Sequence, residues 1–315
     1  MIVTLTPNPS LDRTLELPRL ARGEVHRVAG TRVDPGGKGL NVSFALHLTG
    51  HATRAVLPLG GYEGEQLKAA VEAVSIEVVG VAIAEPNRTN LSLVEPDGTV
   101  TKINAAGPRL TTSEVAALTS EVTASIRGAR WLALCGSLPP GAPDDLYARL
   151  VADATAAGVP VAVDASGAPM AAAVAAGPDL IKPNVHELAE LVDRRLETVG
   201  DVVDAARCLC DEGVRTVVVS LGADGAVLVE GTDADHATAP PIEVRSAVGA
   251  GDALLAGLLA GDGGPDALRT AVAYGTAAAR LPGTQFPRPD DLDLAAVTVA
   301  AVDPTRALDE PGAPR

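Results

Sequence analysis

The chain is 315 residues long, enough for one large domain with an appendage or for two domains. Its formal charge of −15, without any basic run, argues against nucleic acid or anionic membrane as a partner, and no stretch approaches the roughly 18 apolar residues of a membrane span. Apolar residues make up 47% but aromatics only 2%, so the core must pack from small and branched aliphatic side chains, and any bound phosphate must be met by a few local cations.

The chain opens on a strand-like run over 2–6, without the basic and apolar regions of a signal peptide. Together with three cysteines (Cys135, Cys208 and Cys210) in no metal-ligand spacing, this predicts reduced thiols and a cytoplasmic location. Thr6-Pro7-Asn8-Pro9-Ser10-Leu11-Asp12 follows the strand and sets Asp12 where ligands of parallel sheets gather; an Asx-type turn accounts for the same residues. Residues 12–34 then alternate polar and apolar positions with no helix between them, which is hairpin chemistry. Asp34-Pro35-Gly36-Gly37-Lys38-Gly39-Leu40-Asn41 opens a helix over 39–49. It is not a Walker A loop, because Lys38 precedes Gly39 rather than Ser or Thr, but Gly37 allows close backbone approach and Asn41 offers donor and acceptor to a polyol; a tight turn is the competing explanation.

A strand over 55–59, a helix over 63–74 and a strand over 78–82 come next. Residues 88–104 form a second alternating stretch around a Pro96-Asp97-Gly98 turn, so both alternating stretches predict a small antiparallel sheet that serves as a lid or a subunit contact. Arg88 and Lys102 on it are cations able to select an anionic substrate group, although isolated surface charges are the ordinary explanation. A helix over 112–126 and a buried strand over 130–135 lead to Ser137, a further donor to that anion.

A helix over 143–157 and strands over 160–164 and 178–181 precede Lys182-Pro183-Asn184-Val185-His186-Glu187. Asn184 and Glu187 share one helix face and suit a hydrated Mg²⁺; the same spacing makes a capping box. Helices over 184–192 and 200–212, then strands over 215–219 and 225–229, flank Ser220-Leu221-Gly222-Ala223-Asp224-Gly225, a turn able to line a nucleotide or merely to close a hairpin. Ser246-Ala247-Val248-Gly249-Ala250-Gly251-Asp252 enters a helix over 250–261, followed by another over 264–281. Gly249, Ala250 and Gly251 leave backbone N–H groups open at a helix N-terminus, which favours an anion. Asp252 would repel that anion, and its presence points to a base for a hydroxyl attacking a phosphate; a capped, closely packed helix explains the turn equally well when it is taken alone. A dehydrogenase is disfavoured, since Leu254 stands where the third glycine of a dinucleotide fingerprint belongs.

Strands alternating with helices predict an α/β fold with a doubly wound, mostly parallel sheet. One body over 1–301 with the lid inserted is expected, and a proline-containing tail over 302–315 is expected to be partly disordered.

In this order the segments resemble the ribokinase-like carbohydrate kinases, the PfkB family, from about residue 2 to residue 283. Gly36-Gly37-Lys38-Gly39-Leu40-Asn41 and Val248-Gly249-Ala250-Gly251-Asp252 look like its two signatures. The N-terminal block through Asp12, Gly23-Glu24-Val25, Arg88-Thr89-Asn90 and Gly136–Gly141 is similar to the hexose-phosphate branch, which contains 1-phosphofructokinase, tagatose-6-phosphate kinase and the minor 6-phosphofructokinase. The resemblance implies a ribokinase-like fold with a β lid, lid-to-lid homodimers, and ATP- and Mg²⁺-dependent phosphorylation of a ketohexose phosphate, foremost fructose 1-phosphate. A 6-phosphate substrate is the alternative, and a non-catalytic sugar or nucleotide sensor the rival from another class. By similarity Asp252 is the base and Gly249, Ala250 and Gly251 the anion hole. Asp12, Gly37, Lys38 and Asn41 hold the sugar, with Arg88, Lys102 and Ser137 near its phosphate. Lys182, Asn184, Ser220, Gly222, Gly225 and Gly251 meet ATP, and Asn184 and Glu187 organise Mg²⁺ through water. Val25 departs from the lysine of the minor 6-phosphofructokinases, and Phe44 and Ala105-Ala106 also depart from the pattern.

Overall fold

Ile-Val-Thr-Leu at 2–5 and Val-Ala-Val-Asp at 161–164 are buried at every position, as strands of a sheet covered on both faces must be. The computed structural model describes residues 1–308. Its first third contains β1 (Ile2–Leu5), β2 (Ser10–Glu16), β3 (Gly30–Gly36), α1 (Lys38–Leu48), β4 (Thr53–Leu59), α2 (Gly61–Glu72), β5 (Glu77–Ala82), β6 (Arg88–Val94) and β7 (Val100–Ile103). The middle contains α3 (Thr112–Ser125), β8 (Trp131–Cys135), α4 (Leu146–Ala156), β9 (Val161–Asp164), α5 (Gly167–Ala175), β10 (Leu180–Ile181), α6 (Val185–Leu191) and α7 (Val199–Asp211). It ends with β11 (Thr216–Ser220), β12 (Ala226–Glu230), β13 (Asp233–Thr238), α8 (Ala250–Ala260), α9 (Gly264–Ala279) and β14 (Thr298–Ala301).

The large sheet has the order β14-β13-β12-β11-β10-β9-β8-β1-β4-β5. From β5 across to β11 neighbouring strands are parallel; β12, β13 and β14 are added antiparallel. Residues 225–229 thus leave the parallel rhythm, because the chain between β11 and β12 makes only a single 3₁₀ turn at Gly222–Asp224, too short for a crossover. Leu118, Tyr147, Leu150, Val203 and Leu209 from α3, α4 and α7 cover one face. Val42, Leu46, Leu255, Leu259, Leu268 and Val272 from α1, α8 and α9 cover the other, so the sheet is doubly wound. The strand order reverses at β1, which lies between β4 and β8, and the crevice beyond the carboxyl ends of such strands is where ligands bind.

The small sheet, β3-β2-β6-β7, is built from the two stretches expected to make the lid. It is mixed rather than antiparallel: β2 pairs with β6 in parallel, since both leave the carboxyl edge of the body, one after β1 and one after β5. The strands fill less of 12–34 than expected. β2 begins at Ser10, β3 runs on through Asp34-Pro35-Gly36, and 17–29 have no regular structure. Three elements had no signal in the sequence. α5 is largely alanine, while β13 and β14 lack a run of alternating branched residues. Of the tail, 302–308 lie against the start of α7: the Val199 and Gly200 amides donate to the Arg306 and Pro304 carbonyls at 2.9 and 3.1 Å, and the Leu308 amide to Glu197 at 2.9 Å. Residues 309–315 of the expected tail lie outside the described residues. All three cysteines are free, Cys135 buried and Cys208 exposed, and no helix among the described residues is long and apolar enough to cross a membrane.

Candidate active site

Helix α8 reads Ala-Gly-Asp-Ala-Leu-Leu-Ala-Gly-Leu-Leu-Ala, apolar on every side except for Asp252 in its first turn. Gly249 caps it at φ 82°, a left-handed conformation that favours glycine. The helical ladder begins with the Ala253 amide donating to the Gly249 carbonyl at 2.8 Å, so the amides of Gly251 and Asp252 open outward at the positive end of the helix dipole. A side chain at Gly251 would approach the Lys182 ammonium to 3.6 Å, which sets that cation beside the turn.

Asp252 is only 8% exposed, and the Asn41 amide of α1 donates to its Oδ2 at 2.7 Å. Burial first, and the neighbouring charge of Asp164 second, push its pKa up to about 6; the Asn41 hydrogen bond, Lys38 and Lys182 pull the other way. A buried carboxylate raised in this way is a candidate to take a proton near neutral pH.

Asp164, at the carboxyl end of β9, is fully buried between two cations. Lys38 Nζ donates to its Oδ1 at 2.7 Å, and Lys182 Nζ stands 3.1 Å from its Oδ2. Burial opposes the Asp164 charge, but Lys182 and then Lys38 outweigh it and hold the carboxyl below the usual aspartate range. Burial also opposes the charge on Lys38, and Asp164, with Glu187 and Asp252 farther off, raises it above the usual lysine value. Asp164 was not singled out in the sequence. Its only signal was a charge ending an apolar strand.

At the entry of α6, Asn184 and Glu187 form a reciprocal capping box: each side chain accepts from the other's backbone amide at 2.9 Å. Glu187 Oε2 is thereby used, whereas Oε1 faces Lys38 at 3.7 Å. Asn184 also bridges in parallel to Ser220 at the end of β11, which joins the cap to the expected nucleotide turn. In that turn Gly222 and Gly225 have φ 63° and 82°, and a side chain at Gly225 would collide with the Ala237 carbonyl. An open cleft of about 730 Å³ lies beyond the end of β13, walled by Pro240, Ile242, Arg245, Ala277 and Arg280.

On the lid side, Asp12 accepts from Ser10 Oγ at 2.7 Å and from the Asn90 amide at 2.9 Å, and stands opposite Asp34 and Asn90 in register. Gly37, at φ 125°, packs on Thr6 where a side chain would clash. Arg88 is a staple in this conformation: Nη1 donates to the Ala105 carbonyl at 3.0 Å and Nη2 to the Asn8 carbonyl at 2.9 Å. Asn8 in turn donates to Ser137 Oγ at 3.4 Å, so Arg88 and Ser137 meet through a residue not picked out from the sequence. Lys102 is exposed on β7 and shares the lid face of Asp12 by alternation, but no polar contact among the described residues ties it to Arg88 or Ser137.

The arrangement is therefore a carboxylate of raised pKa beside an open helix N-terminus, facing two lysines, under a lid with polar side chains. The pfkB family carbohydrate kinase model matches residues 7–291. The chain is 39% identical over 307 residues to the 1-phosphofructokinase of Rhodobacter capsulatus, covering 95% of this chain and 96% of the relative. It is 36% identical over 298 residues to the ATP-dependent 6-phosphofructokinase isozyme 2 of Escherichia coli (strain K12), covering 92% and 96%. The crystal structure of phosphofructokinase-2 from Escherichia coli in complex with potassium superposes with a TM-score of 0.88 at 33% identity, over 92% of this chain and 96% of that one.

Proposed function

The chain belongs to the pfkB family of carbohydrate kinases, and from that premise we propose that it transfers the terminal phosphoryl group of ATP to a hydroxyl of fructose 1-phosphate. The observation that carries the reading is Asp252: buried, raised to about 6, and in the first turn of a helix with an open N-terminus. In a loose phosphoryl-transfer transition state, positioning and charge neutralisation supply most of the catalysis. Asp252 aligns the acceptor hydroxyl and receives its proton late, while the Gly249–Gly251 turn and Lys182 meet charge developing on the phosphoryl oxygens. Asp12, Gly37 and Asn41 are the sugar contacts in this reading, with Arg88, Lys102 and Ser137 at its phosphate. Arg88 must exchange at least one carbonyl partner to serve there. Ser220, Gly222 and Gly225 are the nucleotide contacts in this reading, and the cleft beyond β13 is the space assigned to adenosine.

A divalent cation fits this site by charge. Lys38 and Lys182 face three carboxylates, Asp164, Glu187 and Asp252, so the cluster carries no net positive charge toward incoming phosphates. Glu187 keeps one oxygen outside the cap, which suits a hydrated Mg²⁺ held through water with Asn184 beside it, as an ion that keeps most of its waters requires. When bound, Mg²⁺ supplies charge neutralisation on the phosphate oxygens.

The homodimer assignment rests on the outer face of the lid. Val33, Arg13, Leu91 and Ile103 stand in one cross-strand row, and Val33 and Ile103 are 43% and 53% exposed, an apolar surface that a second copy would cover. A cytoplasmic site of action agrees with three free cysteines.

The test is coupled ADP release with Mg·ATP and fructose 1-phosphate, fructose 6-phosphate, tagatose 6-phosphate, ribose or adenosine as sole acceptor. The highest kcat/KM is expected for fructose 1-phosphate. Preference for a 6-phosphate would overturn the substrate assignment, and ATP binding without turnover of any acceptor would replace the kinase by a sensor.

A further inference from the structure

The chain contains two phenylalanines, Phe44 and Phe286, and they stack on each other with ring centroids 6.1 Å apart and planes inclined by 3°. Phe44 belongs to α1, and Phe286 to the connection that follows α9. Both rings are half-buried. They join two separate apolar clusters: Phe44 packs against the cluster containing Leu40 and Leu57, and Phe286 packs against the cluster containing Leu254 and Leu258 of α8.

Phe286 also backs the anion turn. A Cβ at Gly249 would lie 3.2 Å from the edge of its ring, so the ring occupies the space behind the left-handed residue that starts α8. Phe44 is three residues beyond Asn41, and residues three apart share a helix face. One face of α1 therefore grips the catalytic turn twice: Asn41 donates to Asp252 at 2.7 Å, and Phe44 holds Phe286 against Gly249. The lid reaches the same connection, for the Arg32 guanidinium of β3 fills the space that a side chain at Gly283 would take.

We propose that Phe44 and Phe286 are positioning residues that fix the Gly249–Asp252 turn for phosphoryl transfer, an inference that rests on the kinase reading for its rate effect but not for its structural one. A turn that shifts by a fraction of an ångström still binds ATP and sugar, yet its amides and Asp252 no longer align in the transition state. A pair serving stability alone would lower the melting temperature and leave the folded enzyme's kcat intact.

The experiment compares wild type, Phe286→Ala, Phe44→Ala, the double variant and Phe286→Tyr. At a temperature where all are folded, each single alanine variant should lower kcat by about 10- to 100-fold, with both KM values within about twofold. The double variant should be no slower than the worse single one, since the two rings act as a unit, and Phe286→Tyr should retain activity. Amide exchange over 249–253, read on the protein without substrates, should rise by about tenfold in both alanine variants while exchange in α3 is unchanged. Unchanged exchange over 249–253, or multiplicative losses of kcat, would overturn the inference. Exchange that rises in the alanine variants of a protein whose wild type shows no kinase turnover would instead overturn the kinase reading and leave the positioning role standing.

Discussion

Replacing Asp252 by asparagine should make the protein more stable and nearly inactive. An aspartate ordinarily titrates at 3.8, and in the folded protein Asp252 is pushed up to about 6 by burial and by Asp164. At about 1.4 kcal/mol per pH unit the difference corresponds to about 3 kcal/mol. The sign follows from which state releases its proton first. Between 3.8 and about 6 the unfolded chain has lost the Asp252 proton and the folded chain still holds it, so rising pH favours unfolding. Asparagine cannot ionise, and it still offers Asn41 an oxygen at the same place. The stability difference between variant and wild type should therefore be small below pH 4 and grow to about 3 kcal/mol above pH 6 to 7. Urea denaturation at half-unit steps from pH 4 to 8 measures it, and kcat under saturating substrates should be at least about 10²-fold lower. A stability difference that stays flat with pH would refute the electrostatic argument, and an unchanged kcat would refute the assignment of Asp252 as base.

Asp164→Asn leaves the nearly buried Lys182 without its counter-ion, so a loss of about 3–5 kcal/mol in stability is expected by denaturation. It also removes a charge that raises Asp252, so the acid limb of kcat/KM, expected near pH 6 for the wild type, should move to lower pH; a limb that stays fixed would uncouple the two carboxylates. Arg88→Ala removes the staple between the lid and the Asn8 loop, and sugar-phosphate use should weaken by about 1.5–3 kcal/mol while the KM for ATP is spared. Equal loss toward both substrates would refute a role confined to the sugar side. Gly225→Ala places a methyl on the Ala237 carbonyl at a residue of φ 82°, and should raise the KM for ATP without changing that for the sugar phosphate, a split that steady-state kinetics reads directly.

Strands that are buried on both faces must be apolar throughout, which is why β1, β4, β8, β9 and β11 were legible as short aliphatic runs. The Gly249–Asp252 turn was legible as a candidate because it sets a lone charge beside open amides on an apolar helix, and it was separated from an ordinary packed cap only in combination with the other segments. What stayed hidden depends on distance in sequence. Lys38 and Asp164 are 126 positions apart and Asn41 and Asp252 are 211 apart, so neither pairing has a local pattern. Asn184 and Glu187 were ambiguous for a different reason: a cap and a metal site ask for the same residues at the same spacing, and the structure shows the cap formed with one carboxylate oxygen left over. The parallel pairing of β2 and β6 was missed because alternation reports a strand's two faces and carries nothing about its neighbour's direction.

In the proposed mechanism the raised pKa of Asp252 suits a base placed at a helix N-terminus. At the ordinary aspartate value, its conjugate acid would be too strong for the group to accept a proton from an alcohol at a useful stage of the reaction. At a value well above 7 it would be protonated in most molecules and hold no base at all. With a value of about 6, about nine-tenths of the molecules hold the basic form at pH 7, while proton acceptance is about 10²-fold more favourable than for an exposed aspartate. Two opposed influences set this balance. Burial and Asp164 raise the value, whereas Asn41, Lys38 and Lys182 limit the rise. Asp164 thus has two effects at once, pairing with Lys38 and Lys182 and raising the pKa of Asp252. A single strand-end carboxylate, 0% exposed, would under the proposed function couple phosphate binding to proton acceptance, so its removal is expected to alter both stability and the pH profile rather than either alone.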